Sequence, residues 1–267
     1  MEVLCKYQAE DTGGTGVNAP LFSCVIPVKG ARPYMDEALE SLESQGMGDD
    51  IEVIIQDGDV EPDAGQSDAL NRGFAKAKGK WLFWLNADDV LLPGALGKVR
   101  DSINRVVRVD WIAGDTVYLD EKGIVKDVRT DAKWRGWFGK KLSVWTGGPS
   151  AFFRRELWEK RGGFDAELKY AMDIDLWTRW AQAGEKFVGL GDYLWGFRVH
   201  GGSQTMNGEN SAAQIAERKA IDAKYGVSSD GFWRNVTRLA SVLDGSWAKR
   251  KHDSKCLHGK RFNEILT

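Results

Sequence analysis

Cysteine is scarce in this 267-residue sequence, and Cys5, Cys24 and Cys256 show no paired spacing. The scarcity argues against a disulfide-stabilised scaffold and favours a reducing compartment. His252, Cys256 and His258 lie close together in a basic tail, but their spacing does not match that of known zinc sites.

Long apolar runs and a strong charge imbalance are also missing. No run approaches the ~18 residues of a membrane span, and the first residues lack a signal-peptide pattern, so we expect a cytoplasmic protein. The formal net charge of −2 gives no general attraction to nucleic acid. The length suits one large domain, or a domain with an appendage.

Tryptophan, in contrast, is abundant, and two of the 12 residues belong to the stretch that organises the chain. Lys80–Leu85 indicates a buried strand that runs into Asn86-Ala87-Asp88-Asp89. Ligands of parallel α/β sheets bind at the carboxyl ends of strands, which is where these acids fall. We interpret Asp88 as an oxygen ligand for a hard divalent cation, with local support from Asp89. The alternative is a turn in which Asp89 caps a helix, because Asn and Asp favour turns and caps.

The first half of the chain alternates strand and helix patterns after a polar, Gly-rich flexible leader at 1–20. This alternation predicts an α/β nucleotide-binding half over 21–115, with a mostly parallel, Rossmann-like sheet flanked by helices on both faces. The predicted strands are 22–28, 51–55, 80–85 and 109–114. One predicted helix begins near Pro33, a second includes residues 69–77, and a third includes residues 96–103.

After residue 115 the pattern loosens. Residues 118–128 predict a hairpin that turns on Asp120–Gly123. Residues 131–149 mix aromatic residues, among them Trp137 and Trp145, with glycines and basic residues. This composition suggests a mobile lid or a sugar platform, and the alternative is a loop packed on the core.

Two helical patterns, at 209–225 and 231–247, form a C-terminal helical segment with a basic tail, which we delimit as 206–267. The second pattern has an aromatic, apolar side beside the basic cluster. Such a helix can make peripheral contact with an anionic membrane surface. The alternative is a helix packed on the domain, followed by a solvated tail.

Eight short segments follow one another along the chain: Val25–Val28, Asp57-Gly58, Gly65–Gly73, Asn86–Asp88, Gly148–Arg154, Gly162–Asp165, Met172–Trp177 and Arg198–Thr205. In order and spacing they resemble the family 2 glycosyltransferases of the GT-A fold, especially bacterial enzymes that build surface polysaccharides. The resemblance covers about residues 20–205, and it implies a GT-A catalytic domain over 21–205 whose acceptor half is 116–205.

The resemblance implies roles on the donor side. Asn86-Ala87-Asp88 takes the place of the family's Asp-x-Asp motif with Asn as its first member, so fewer carboxylates hold the cation. Asp88 and His200 would bind Mn²⁺ or Mg²⁺, and Arg198 would contact the donor phosphates. A histidine such as His200, taken alone, is more often structural, and only its place after Arg198 makes a ligand or phosphate contact an equal alternative. The residues assigned to the nucleotide are Pro27, Val28, Asp57, Asp68, Asn86, Ala87 and Asp88.

The resemblance also implies roles on the acceptor side. Asp173 takes the general-base position, because the Glu that usually begins its segment is Met172 here. Trp137, Trp145 and Asp175 are assigned to the acceptor side or the lid. The alternatives are a helix-capping Asp173 and a buried structural Asp175. Helix N–H groups would lower the pKa of Asp173, whereas desolvation by aromatic neighbours would raise it.

The implied function is metal-assisted, inverting transfer of a hexosyl or N-acetylhexosaminyl group. The donor would be a nucleotide-sugar, in particular a UDP-sugar, and the acceptor a hydroxyl of a saccharide or lipid-linked saccharide. A nucleotidyltransferase is a weaker alternative, because residues 27–32 contain one Gly rather than a Gly-rich phosphate loop. A sugar-nucleotide-binding regulator without catalysis would fit the departures at Asn86 and Met172.

Overall fold

The computed structural model describes residues 19–106, 108–130, 148–202, 212–228 and 231–265. Strands from both halves of the chain join one sheet. The strands are β1 (Phe22–Val28), β2 (Ile51–Asp57), β3 (Trp81–Trp84), β4 (Val90–Leu91), β5 (Trp111–Leu119), β6 (Val125–Arg129), β7 (Ala151–Arg154) and β8 (Phe187–Arg198). The helices are α1 (Met35–Glu43), α2 (Gln66–Lys76), α3 (Ala95–Arg105), α4 (Arg155–Arg161), α5 (Met172–Gln182), α6 (Ala212–Tyr225), α7 (Gly231–Leu243) and α8 (Ser246–Leu257).

The sheet has the strand order β2-β1-β3-β7-β5-β8-β4, and β6 pairs with β5. The predicted parallel arrangement holds in the first half, where β1 pairs in parallel with both β2 and β3. In the second half the sheet is mixed, because β7 is antiparallel to both β3 and β5 whereas β5 and β8 are parallel. The reversal at β7 places the short 3₁₀ turn Gly148–Ser150, which precedes it, beside the carboxyl end of β3.

Tryptophan residues build much of the core on one face of the sheet. Trp84, Trp111 and Trp177 are buried together, and the Trp111 and Trp177 rings stack with centroids 5.1 Å apart. Trp84 stacks on the other side of Trp177 at 6.0 Å. Large aromatic rings bury extensive apolar area in few residues, so this stack fixes α5 firmly against β3 and β5.

The C-terminal segment packs on the domain. The apolar pattern predicted as one helix ends at Leu243, and α8 begins after Gly245, whose φ of 81° breaks the helix. Arg250 Nε donates to the Val128 carbonyl at 2.9 Å, and Ser254 donates to Asp127 at 2.9 Å. The expectation of a solvated basic tail is therefore wrong for residues 246–257, which form a helix docked on β6. No helix within the described ranges is long and apolar enough to span a bilayer.

Candidate active site

A cavity of about 340 Å³ opens where β1 and β3 end. These strands are parallel neighbours, so the residues that follow them meet at one edge of the sheet. Helix α2 and the residues after β8 complete the walls. The lining contains the predicted site residues Pro27, Val28, Asn86, Ala87, Asp88 and His200, together with Lys29, Arg32, Tyr34, Asp63 and Gln66.

Asp88 and His200 face each other in this cavity. His200 Nε2 lies 2.9 Å from Oδ2 of Asp88, and His200 Nδ1 accepts a hydrogen bond from the Gly202 N–H at 3.2 Å. Because Nδ1 accepts, the proton of the neutral ring sits on Nε2 and points at the carboxylate. The Tyr34 ring lies against the imidazole with centroids 5.1 Å apart, which fixes its plane.

The same spacing suits a divalent cation. Two adjacent ligands about 2.1 Å from an octahedral ion are separated by about 3.0 Å, close to the distance between His200 Nε2 and Asp88 Oδ2. For Nε2 to become a ligand, the proton of the neutral ring would have to move to Nδ1, which would give up the hydrogen bond from the Gly202 N–H. Nε2 and the Asp88 carboxylate would then be two neighbouring ligands. Within the described ranges no group of three or more His, Cys, Asp or Glu side chains could hold a metal alone. An ion here would therefore take its other ligands from a bound donor and from water.

Asn86 is held by hydrogen bonds at both ends of its amide. Its Oδ1 accepts from Gln66 Nε2 at 2.8 Å, and its Nδ2 donates to Oδ2 of the buried Asp89 at 2.8 Å. The other oxygen of Asp89 accepts the Arg198 N–H at 2.9 Å, which is the local support expected of this residue. Burial, and then the charge of Asp88, raise the pKa of Asp89. A carboxylate in place of the Asn86 amide would face that of Asp89, so the asparagine avoids a like-charge repulsion.

The Arg198 side chain contacts other protein groups and is not exposed in the cavity. Its side chain is fully buried and forms an ion pair with Glu37. Its Nε donates to the Asp88 carbonyl at 2.9 Å, and another guanidinium nitrogen donates to the Glu121 carbonyl at 3.1 Å. The predicted contact between Arg198 and donor phosphates is thus not the arrangement found. The guanidinium positions the backbone of Asp88 instead.

Asp57 and Asp68, predicted to contact the nucleotide, lie outside the cavity wall. Asp57 adjoins it through Arg32, whose guanidinium is 2.7 Å from Asp57 Oδ2 and which itself lines the cavity. Asp68 accepts the Ala64 N–H at 3.0 Å and pairs with Arg72 at 2.8 Å. These two contacts lower the pKa of Asp68. The nucleotide roles of both acids stay predictions.

Asp173 lies in the first turn of α5, and its carboxylate is partly buried. Its Oδ1 accepts the N–H of Ile174 at 2.8 Å. Burial nevertheless dominates, and it raises the pKa of Asp173 to about 6. The tight approach of Gly148 explains part of this crowding, because a Cβ there would lie 2.4 Å from Trp84 and 3.4 Å from Asp173 Oδ2. The carboxylate is thus suited to accept a proton near neutral pH.

Asp175 does not belong to an acceptor surface. It is buried, and its Oδ1 accepts hydrogen bonds from Lys224 and from the Tyr225 hydroxyl, each at 2.9 Å. The predicted acceptor or lid role of Asp175 is therefore wrong, and the alternative of a structural acid is the one found: it anchors α6 on α5. Trp137 and Trp145 lie outside the described residues, so their lid role stays a prediction.

Sequence reasoning missed several residues of the cavity wall. Gln66, which orients Asn86, is the first residue of α2 and lies inside the segment Gly65–Gly73 that already carried the resemblance. Arg32 and Tyr34 lie in the turn after β1, and the basic character of that turn was the available signal. Tyr34 contacts both the His200 ring and the Arg198 guanidinium, so it links the cavity to the buried arginine.

Comparisons with known proteins show which family and which fold this chain resembles. The family model described as glycosyl transferase family 2 matches residues 60–159. An uncharacterized glycosyltransferase of Rickettsia typhi is 24% identical over 253 residues, covering 84% of this chain and 75% of the relative.

Solved structures share the fold, among them those of TarS and of a mannosyltransferase. TarS 1–349 of S. aureus, in complex with UDP-GlcNAc, aligns with a TM-score of 0.60 and 16% identity over 76% of this chain and 65% of that chain, which is just under two thirds of the chain in that structure. The mannosyltransferase PcManGT of Pyrobaculum calidifontis, in complex with GDP-Man and Mn²⁺, aligns with a TM-score of 0.55 and 16% identity over 92% of this chain and 81% of that one. The resemblance seen in the sequence is therefore confirmed: residues 60–159 match the family 2 glycosyltransferase model, and the chain has the GT-A fold.

Proposed function

We propose that this glycosyltransferase moves a sugar from a nucleotide-sugar, in particular a UDP-sugar, to a hydroxyl of a saccharide or lipid-linked saccharide, with inversion and with the aid of Mn²⁺ or Mg²⁺. The observation that carries the proposal is the pairing of Asp88 with His200 in the cavity at the carboxyl ends of β1 and β3. Two of the solved structures that share the fold, those of TarS and PcManGT, contain nucleotide-sugars.

The cavity wall offers groups for the donor. Pro27, Val28 and Ala87 supply apolar and backbone surface, and Asn86 supplies a fixed amide. The Arg32 guanidinium lies in the cavity wall, where it donates a hydrogen bond to Asp57, the last residue of β2. This arrangement suits a base and ribose lying along the sheet edge, with the diphosphate directed toward Asp88.

A divalent cation, when bound, offsets the charge that develops on the departing diphosphate. Asp88 and His200 would hold it, and the buried Arg198 keeps the Asp88 backbone in place through its bond to the carbonyl. A fixed backbone at Asp88 restricts the orientation of its carboxylate, and such support from buried neighbours orients the ligands of metal sites.

Asp173 would act as the general base. Its pKa near 6 leaves it mostly charged at neutral pH yet basic enough to receive a hydroxyl proton. In the transfer step the acceptor oxygen forms a bond to the anomeric carbon, and the acceptor proton passes to the Asp173 carboxylate. The bond from the anomeric carbon to the phosphate oxygen breaks, and the diphosphate leaves with the electron pair. A single displacement of this kind inverts the anomeric centre.

The proposal is tested by thermal unfolding of the protein with UDP-sugars and GDP-sugars, each with and without Mn²⁺. A donor at 100 times its Kd adds about 2.7 kcal/mol of stability, which is a Tm rise of about 5 °C or more. We expect the rise with one nucleotide class and a larger rise with Mn²⁺ present. If no nucleotide-sugar raises the Tm under either condition, the proposed donor is wrong.

A catalytically inactive donor-binding protein is the second candidate. Met172 occupies the place of the family's acid, and its sulfur accepts a hydrogen bond from Ser67 Oγ at 3.0 Å in a buried setting. One carboxylate fewer therefore stands at this end of α5. Release of free nucleoside diphosphate, measured with saccharide acceptors under the conditions that raise the Tm, distinguishes the enzyme from the binder.

A further inference from the structure

The helix α7 presents an apolar face to solvent. Leu239 is 61% exposed and Leu243 is 78% exposed, and Phe232 and Val242 are exposed as well. Positions 232, 239 and 243 repeat at intervals of seven and four, so they lie on one side of the helix. Ala240 is buried on a different side. Contiguous exposed apolar surface of this kind usually marks a binding surface.

Exposed cations accompany this face. Arg238 of α7 is exposed, and the helix sequence contains no acidic residue up to Leu243, whereas Asp244 follows it and accepts the Ser246 N–H at 2.9 Å. The outward side of α8 continues the pattern, since Lys251 and Lys255 are exposed there. Lys251 Nζ lies 4.0 Å from the centroid of the Trp247 ring, which is itself 38% exposed. Asp253, the acid of α8, faces inward, where the Tyr193 hydroxyl donates to it at 2.9 Å.

The opposite side of α8 is fixed to the catalytic domain. Arg250 donates to the Val128 carbonyl, and the Thr130 hydroxyl donates to the Ser246 carbonyl at 3.1 Å. Lys249 lies 4.0 Å from the Tyr193 ring centroid on β8. The exposed lysines of α8 are therefore held in a set direction relative to the sheet, and α7 with its exposed leucines directly precedes α8 in the chain.

We propose that this face binds the surface of an anionic phospholipid bilayer. The leucines and Trp247 would enter the boundary between headgroups and acyl chains, while Arg238, Lys251 and Lys255 contact the headgroup charges. A second copy of the chain fits less well, because a twofold pairing would bring the same cations of both copies together. The inference is independent of the sugar transfer proposed above, since none of these residues lines the cavity.

The test is flotation of the full chain with phosphatidylcholine vesicles, with and without phosphatidylglycerol. We expect binding to the anionic vesicles that weakens with salt. The double variant Leu239→Glu/Leu243→Glu should lower the partition coefficient by at least about tenfold, because burial of even one leucine is worth more than a factor of ten. Val60→Glu is the matched control, since Val60 is 73% exposed on another part of the surface, and it should bind like the parent protein.

A second pair of variants tests the charges. Lys251→Glu/Lys255→Glu should lose binding to anionic vesicles, whereas Arg105→Glu, at an exposed position in α3, should not. Cooperative thermal unfolding with a Tm close to that of the parent verifies that each variant is folded. The proposal would be overturned if the leucine variant bound anionic vesicles as strongly as the parent protein, or if the parent protein did not bind them. A parent dimer that the leucine variant converts to monomers, without vesicle binding, would also overturn it and assign the face to a second copy.

Discussion

Replacing Asp173 by asparagine should stabilise the protein while it removes the proposed base. The pKa of Asp173 is raised from 3.8 to about 6 in the folded chain. The folded state therefore binds the proton more tightly than the unfolded state, and the stability that this gives is present at low pH. It is lost as the pH rises through 6, because a partly buried carboxylate must then carry its charge. Asparagine stays neutral at every pH, and its Oδ1 can keep the hydrogen bond from Ile174.

The size of the effect follows from the two pKa values. A difference of 2.2 units between 3.8 and about 6 corresponds to an upper limit of about 3 kcal/mol at pH 8 and to about 0.6 kcal/mol at pH 4. Urea unfolding of the parent and of Asp173→Asn at both pH values gives the two differences. We expect the variant to be more stable at pH 8, by up to the stated limit, and nearly equal to the parent at pH 4.

Asp175→Asn is the matched control on the same helix. The Asp175 carboxylate accepts hydrogen bonds from Lys224 and Tyr225, so its replacement by an amide should destabilise the protein at pH 8. Transfer activity should fall by about 10²- to 10⁴-fold in Asp173→Asn, as for a lost general base. In the parent, activity should rise with pH through about 6. A variant that gains no stability at pH 8, or that transfers sugar at the parent rate, would refute the assignment.

The remaining predictions concern the metal pair, the buried arginine and the glycine contact. Asp88→Ala should abolish Mn²⁺-dependent turnover while Asp101→Ala, at an exposed position, leaves it intact; full activity of the parent in chelator would contradict this. Arg198→Ala should lower the free energy of unfolding in urea by about 2 to 5 kcal/mol, because it empties the space of a fully buried side chain and takes a donor from the Asp88 and Glu121 carbonyls, and a change below 1 kcal/mol would argue against these buried contacts. Gly148→Ala should cost about 1 to 3 kcal/mol in the same assay, because its Cβ would meet Trp84 at 2.4 Å, and an unchanged midpoint would contradict that contact.

Much of the site could be predicted because it depends on short stretches of sequence. The continuous apolar run before Asp88 predicts a buried strand of a parallel sheet. The position of Asp88 at the carboxyl end of that strand follows from the same local pattern. Pro27 and Val28 follow from the same argument at β1. These residues line one cavity because neighbouring parallel strands end together.

The parts that failed depend on partners distant in the chain. Arg198 was expected at the phosphates, but its ion pair is with Glu37, 161 residues away, and no local pattern encodes that contact. Asp175 is bonded to Lys224, which belongs to a helix 49 residues later. Both acquire their roles from tertiary packing, and a motif shared with a family fixes the position of a residue without fixing what it touches.

The strand directions in the second half of the sheet could not be predicted from the sequence either. The composition of residues 131–149, which precede β7, gives no periodicity from which the direction of that strand could be predicted. The pKa of Asp173 was open for a related reason. The balance between the helix N–H groups and burial depends on how closely Gly148 approaches, which only the packed structure shows.

The central claim is that Asp88 and His200 are neighbouring ligands of a divalent cation that bridges to the donor diphosphate. A crystal structure of the protein with Mn²⁺ and the nucleotide-sugar that raises its Tm tests this most directly. The account predicts Mn²⁺ within about 2.3 Å of Asp88 Oδ2 and His200 Nε2, with phosphate oxygens completing its shell. Donor bound in the cavity with the Asp88–His200 hydrogen bond intact and no ion between them and the phosphates would contradict it.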